Sequence, residues 1–328
     1  MKVYITRKIP DPAVSLLDEV FDVSMWPVED SCVPRDVLLS ELKDSFGLLS
    51  MLTDRIDREL LERAENLRIV ANMAVGYDNI DVQACTDRGI IVTNTPGVLT
   101  EATADLTFGL LLATARRIPQ AQEYIRKGLW STWSPMLLTG LEVWGSTIGI
   151  VGMGRIGTAV ARRAKGFDMR ILYHSRTRAV NAERELGAEF RSLQSLLQEA
   201  DFVTVHLPLT QDTYGLIGEA EIGLMKPEAV LINTARGGIV DENALVQALR
   251  DRKIWGAGLD VFSREPISSD SPFFELDNVV LLPHIGSATI ATRTEMAVLA
   301  ARNIREYLLS GKPVTPVNPQ ALKKRDPI

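Results

Sequence analysis

A chain of 328 residues exceeds the size at which one hydrophobic core keeps growing, so two domains are expected. Its 46% apolar and 24% charged residues are ordinary for a soluble globular protein, and the net charge of −6 is spread along the chain, which gives no reason to expect nucleic acid as a partner. The longest apolar run, Leu106 to Ala115, is too short to span a bilayer; Cys32 and Cys85 form no CxxC pair and have no His at ligand spacing, which argues against a disulfide framework and a metal site.

The N-terminal MKVYITRKIP alternates like a strand and lacks the apolar core of a signal peptide, so a cytoplasmic protein with no membrane attachment is expected. From there β-branched runs alternate with amphipathic stretches: KVYIT then DPAVSLLDEVF, FGLLSM then DRELLERAENL, RIVANM then DVQACTDRG, and IIVTN. That alternation predicts a parallel sheet with crossover helices. Pro96-Gly97 marks a hinge candidate, and TEATADLTFGLLLATARRI predicts one long helix with an apolar side, starting behind Thr100 as N-cap. A second series begins at STIGIVGMGRIG, with apolar strands near MRILY, DFVTVHL, AVLINTA, GAGLDVF and NVVLLPHIG. The helix ATIATRTEMAVLAARNIREYLLSG, ended by Gly311 and Pro313, is followed by a polar tail.

In VGMGRIG, Gly152, Gly154 and Gly157 have the GxGxxG spacing between a strand and a helix, the setting in which glycines admit a dinucleotide pyrophosphate to a helix N-terminus. An acid that would hold the adenosine ribose is expected about 20 residues on. The chain instead reads His174, Ser175, Arg176, Thr177, Arg178. A guanidinium with hydroxyl neighbours suits a ribose 2′-phosphate, which a carboxylate would repel, so NADPH is expected to be preferred, with NADH possible.

Three histidines allow elimination. His174 sits beside the expected adenosine site, far from the reactive end of the cofactor. His206, ending DFVTVHL, has two readings, a cofactor-lining residue or a packed polar one. His284, in PHIGS after an apolar strand, is the acid/base candidate. Arg236 in NTARGG and Glu265 in SREP also follow strands, at the edge where open α/β sheets bind ligands. Together the three suit reduction of a small-molecule 2-keto acid: His284 donates a proton as charge develops on the carbonyl oxygen, Glu265 orients the imidazole, and Arg236 holds the substrate carboxylate and carbonyl.

GxGxxG, NTARGGIVDENAL, GAGLDVFSREP and NVVLLPHIGSAT, in that order, resemble the motifs of the D-isomer-specific 2-hydroxyacid dehydrogenases. The resemblance covers nearly the whole chain, and ANMAVGYDNID and RAKGFDMRILYHSRTR are most similar to the glyoxylate/hydroxypyruvate reductase branch. It implies an α/β fold of two Rossmann-like domains, parallel sheets with flanking helices and an active site in the interdomain cleft. Residues 1–99 plus 290–328 would form a flavodoxin-like substrate domain and 100–289 the dinucleotide-binding domain. Arg236, Glu265 and His284 are implied as the catalytic trio, and Val75 and Gly76, with Leu52 nearby, as substrate-binding residues. Around the cofactor the resemblance implies Thr103, the loop Gly154, Arg155, Ile156, Gly157, then Pro208, Thr213, Thr234, Ala235, Asp260, Gly286 and Ser287. It also implies a homodimer, with LWSTWSPMLL as an arm whose Trp130 or Trp133 covers a neighbour's substrate. In one place the chain departs from NAD-using members: Ser175 stands where they carry Asp. Expected products are glycolate from glyoxylate and D-glycerate from hydroxypyruvate. The alternatives are a 2-ketogluconate reductase or another D-2-hydroxyacid dehydrogenase and, in a different class, a dinucleotide-sensing scaffold.

Overall fold

Among residues 1–324, which the computed structural model describes, the alternating runs form two parallel sheets belonging to two compact units. The first unit comprises Met1–Leu99 together with residues 288–324. Its strands are β1 (Lys2–Ile5), β2 (Asp22–Met25), β3 (Ser45–Ser50), β4 (Ile69–Asn72) and β5 (Ile91–Thr93), in the sheet order β2-β1-β3-β4-β5. That is the flavodoxin-like arrangement. The helix Ile290–Ser310 packs on this sheet and on the helix Asp11–Asp18, and Gly47 in β3 leaves room for Ile304. The division falls at Ser287/Ala288 rather than at 289/290. Thr289 travels with the helix it caps, its hydroxyl accepting from Thr292 N at 3.1 Å.

The second unit, Thr100–Ser287, holds β6 (Thr147–Val151), β7 (Arg170–His174), β8 (Glu189–Phe190), β9 (Phe202–Val205), β10 (Val230–Asn233), β11 (Gly256–Leu259) and β12 (Val279–Leu281). Their order is β12-β11-β10-β9-β6-β7-β8, so the strand order reverses between β6 and β9. In open parallel sheets a ligand binds beyond the carboxyl ends at such a reversal. β9, β10 and β11 are buried throughout, as strands covered on both faces must be.

Three local expectations change. The run from Thr100 is two helices, Thr100–Ala115 and Ile118–Arg126, broken at Arg117, whose φ of 53 is left-handed. Thr100 begins the first helix rather than capping it, and three threonines, Thr103, Thr107 and Thr114, lie on its buried stripe while Leu106 and Leu112 are partly exposed. β2 and β8 are half-exposed edge strands with no apolar run to announce them.

Candidate active site

Arg236, Glu265 and His284 follow β10, β11 and β12, three neighbouring strands, at their carboxyl ends. The turn bearing Arg236 is fastened by Asn233, whose Oδ1 accepts from Ala235 N at 3.0 Å while its Nδ2 donates to Arg236 O at 2.8 Å. Gly237 comes next, and a β-carbon there would overlap the peptide joining Phe262 to Ser263. The loop after β10 is thereby packed directly against the backbone that leads to Glu265.

Glu265 Oε1 accepts from Phe262 N at 3.0 Å, and Oε2 lies 2.7 Å from His284 Nδ1. Burial pushes the Glu265 carboxyl up, but the hydrogen bond and charge of His284, the Phe262 N–H and the charge of Arg236 outweigh it and hold the carboxyl below its ordinary range. An ionised carboxylate only accepts, so the Nδ1 facing it carries the proton, and Nε2 is the ring atom left for chemistry.

His284 has a φ of 56, a left-handed conformation that costs a residue with a β-carbon about 1–3 kcal/mol. The next residue holds it there: Ile285 N donates to Asp260 Oδ1 at 2.8 Å, joining the loop after β12 to the end of β11. Asp260 is fully buried, and burial is the first cause raising its carboxyl pKa above the usual value. Its Oδ2 has no hydrogen-bond partner among the described residues. A β-carbon at Gly286 would lie 3.2 Å from that oxygen and 3.5 Å from Thr103 Cγ2, so Thr103, Asp260 and Gly286 adjoin, with Ser287 next in the chain. Thr234 joins the same helix through a 2.8 Å bond to Thr107, and Ala235 follows it.

At the reversal, Gly152 has a φ of 105, and a β-carbon there would stand 2.8 Å from the carbonyl of His206, at the end of β9. Its N–H donates to His174 O at 2.8 Å. Gly157 packs its Cα side onto Gly152 O, whereas the Cα side of Gly154 is open to 4 Å. Gly154 begins the helix Arg155–Gly166 with no side-chain cap, leaving the first-turn N–H groups and the positive dipole end facing outward, with Arg155 exposed and Ile156 half-buried. His206 Nε2 is enclosed and has no hydrogen-bond partner among the described residues; burial lowers the ring pKa to about 3. Thr213 fastens the loop after β9, its hydroxyl donating to Pro208 O at 2.7 Å. The open glycine, the uncapped helix start and two enclosed polar atoms fit a dinucleotide.

Beyond β7, Ser175 Oγ donates to Thr177 O at 2.5 Å, and Arg176 is exposed without a partner among the described residues. In the first unit Leu52 follows β3, and Val75 and Gly76 follow β4. The carbonyls of Val75 and Gly76 are tied by Asn94 Nδ2 at 2.8 Å and Asn72 Nδ2 at 2.9 Å. Residue reading passed over Asn233, Asn72 and Asn94; the signal available was an Asn at or just past each strand end, a side chain suited to fastening a turn.

No group of three or more His, Cys, Asp or Glu among the described residues could hold a metal, and no helix among them is long and apolar enough to cross a membrane. The profile of the family described as "D-isomer specific 2-hydroxyacid dehydrogenase, NAD binding domain" matches residues 108–286. The glyoxylate reductase of Pyrococcus horikoshii is 53% identical over 330 residues, covering 99% of this chain and 98% of that protein. Among solved structures, the TT0316 protein of Thermus thermophilus is similar with a TM-score of 0.91 at 46% identity, over 97% of this chain and 100% of that one. The NADPH-dependent glyoxylate/hydroxypyruvate reductase of Sinorhizobium meliloti, in complex with NADP and malonate, has a TM-score of 0.85 at 36% identity, over 100% of this chain and 99% of that one.

Proposed function

Because the chain belongs to the D-isomer specific 2-hydroxyacid dehydrogenase family, a class of NAD(P)-dependent oxidoreductases, we propose that it reduces glyoxylate to glycolate and hydroxypyruvate to D-glycerate, with NADPH preferred over NADH. The observation that carries the chemistry is the 2.7 Å contact between Glu265 Oε2 and His284 Nδ1, on strand ends next to the one bearing Arg236.

The cofactor would be held by Gly152, Gly154, Arg155, Ile156, Gly157, Ser175, Arg176, Thr177, His206, Pro208, Thr213, Thr234, Ala235, Asp260, Gly286, Ser287 and Thr103. When bound, its dihydronicotinamide supplies the hydride. Arg236 binds the carboxylate and carbonyl of the keto acid, and the N–H groups of Val75 and Gly76, with Leu52 beside them, take the carboxylate. His284, charged, donates from Nε2 to the carbonyl oxygen as negative charge builds there. The neutral ring that remains keeps its Nδ1 proton on Glu265, so the carboxylate stabilises the charged state and fixes the tautomer of the neutral one.

The same reading includes a cytoplasmic homodimer. In its support, Cys32 and Cys85 are free thiols, and Leu129, Trp130, Trp133 and Met136 are all more than half exposed on one short segment, an apolar stretch of the kind a partner covers. The test mixes purified protein with NADPH or NADH and each of glyoxylate, hydroxypyruvate and 2-ketogluconate, following cofactor absorbance. Turnover of the two small acids, faster with NADPH, is expected. Preference for 2-ketogluconate would shift the substrate to a sugar acid, and no turnover with any would replace catalysis by a dinucleotide-sensing role.

A further inference from the structure

Two arginines flank Thr177, and only one is available to a ligand. Arg178 is engaged: Nε and Nη2 each donate to the Glu183 carboxylate at 2.9 Å, and the guanidinium lies 5.6 Å from the ring centroid of Phe190. Glu183 also accepts from Tyr173 OH at 2.5 Å, and the same hydroxyl accepts from Ala179 N at 2.9 Å. Tyr173 is fully buried one residue before the carboxyl end of β7, its ring edge-on to Phe190 at 5.5 Å. The segment from Ser175 to Ala179 is therefore pinned within itself by Ser175 Oγ on Thr177 O, and at its far end by the Tyr173 hydroxyl and the Glu183 carboxylate. Arg176 is the one guanidinium left pointing out of a fastened turn.

We propose that Tyr173 and Glu183 are positioning residues for cofactor choice: they fix the turn so that Arg176 is presented to the phosphate monoester that distinguishes NADPH from NADH, and they keep Arg178 off it. This rests on the NADPH reading above. The physical basis is preorganisation, since a guanidinium on a fixed turn loses less freedom on binding than one on a loose loop. Glu183 does not repel the phosphate because Arg178, first, and then the Tyr173 hydroxyl hold and offset its charge, and these bonds keep its carboxyl below the ordinary range.

Calorimetric titration of NADPH and NADH into wild type, Tyr173→Phe, Arg176→Ala and the double variant tests this. Phe fills the same buried space without the hydroxyl. Tyr173→Phe should raise the Kd for NADPH about three- to tenfold, the worth of a hydrogen bond, and leave NADH within about twofold. In the Arg176→Ala background the same change should add less than about twofold, because no guanidinium remains to be presented. Equal weakening of both cofactors, an unchanged Kd for NADPH, or fully additive losses would each overturn the assignment. A wild type with equal Kd for NADPH and NADH would reject the NADPH reading and this inference with it, whereas a discriminating wild type with an unaffected Tyr173→Phe rejects the inference alone.

Discussion

His284 and His206 follow strands at carboxyl ends of the same sheet and stand in different surroundings. His284 Nδ1 lies 2.7 Å from the Glu265 carboxylate. Part of His206 reaches solvent, but Nε2 does not, and it has no partner there among the described residues; the enclosed nitrogen governs, and burial lowers the ring to about 3 from an ordinary value of about 6.5. A folded-state pKa below the unfolded one contributes stability that is complete above about pH 6.5 and is lost as pH falls toward 3, at up to about 1.4 kcal/mol per pH unit. Urea denaturation of His206→Asn beside wild type, between pH 7 and pH 4, should therefore show a shallower loss of stability in the variant; parallel curves would contradict the buried neutral ring. The placement of Arg236, Glu265 and His284 after strands was readable in the sequence because each stands beside glycine or proline after an apolar run. Asn233, Asp260's bond to Ile285 and the Tyr173 hydroxyl were not, because each acts through a bond across a turn or between loops that spacing does not reveal.

At the scale of elements, the site depends on loops touching loops. Gly237 is where the loop after β10 meets the Phe262–Ser263 peptide, and Ser263 N is held from the other side by Glu242 Oε1 at 2.5 Å. Gly237→Ala should push these two loops apart, lowering kcat roughly 10- to 100-fold by misplacing Arg236 relative to Glu265, and destabilising the protein by about 1–3 kcal/mol. Wild-type kcat and thermal midpoint in that variant would refute the close approach. Strands buried on both faces were legible as apolar runs, whereas the edge strands β2 and β8 were not, since they are short, have no fully buried residue and mix polar with apolar side chains. The helix Thr100–Ala115 was legible as a helix but not as a threonine-lined one. Hydroxyls such as those of Thr107 and Thr114 satisfy themselves on carbonyls four residues back, at 2.8 Å each, and so behave as small core residues.

For the whole molecule, the first unit is closed by a helix that arrives about 200 residues after Leu99, and no period in the chain could have announced that return; it was inferred only through resemblance. The exposed apolar segment around Trp130 and Trp133 makes an oligomeric prediction: light scattering should give twice the chain mass, and Trp130→Ser/Trp133→Ser should move the equilibrium toward monomer. A monomeric wild type would contradict it. In the proposed reaction His284, its Nδ1 on Glu265, gives the proton that reduction of the keto acid requires. His284→Ala, measured for turnover of glyoxylate and in parallel for NADPH binding, tests it most directly. The variant should lose kcat on the order of 10²–10⁴-fold with an NADPH Kd within about twofold of wild type. Near-normal turnover, or a loss explained by failure to bind NADPH, would contradict it.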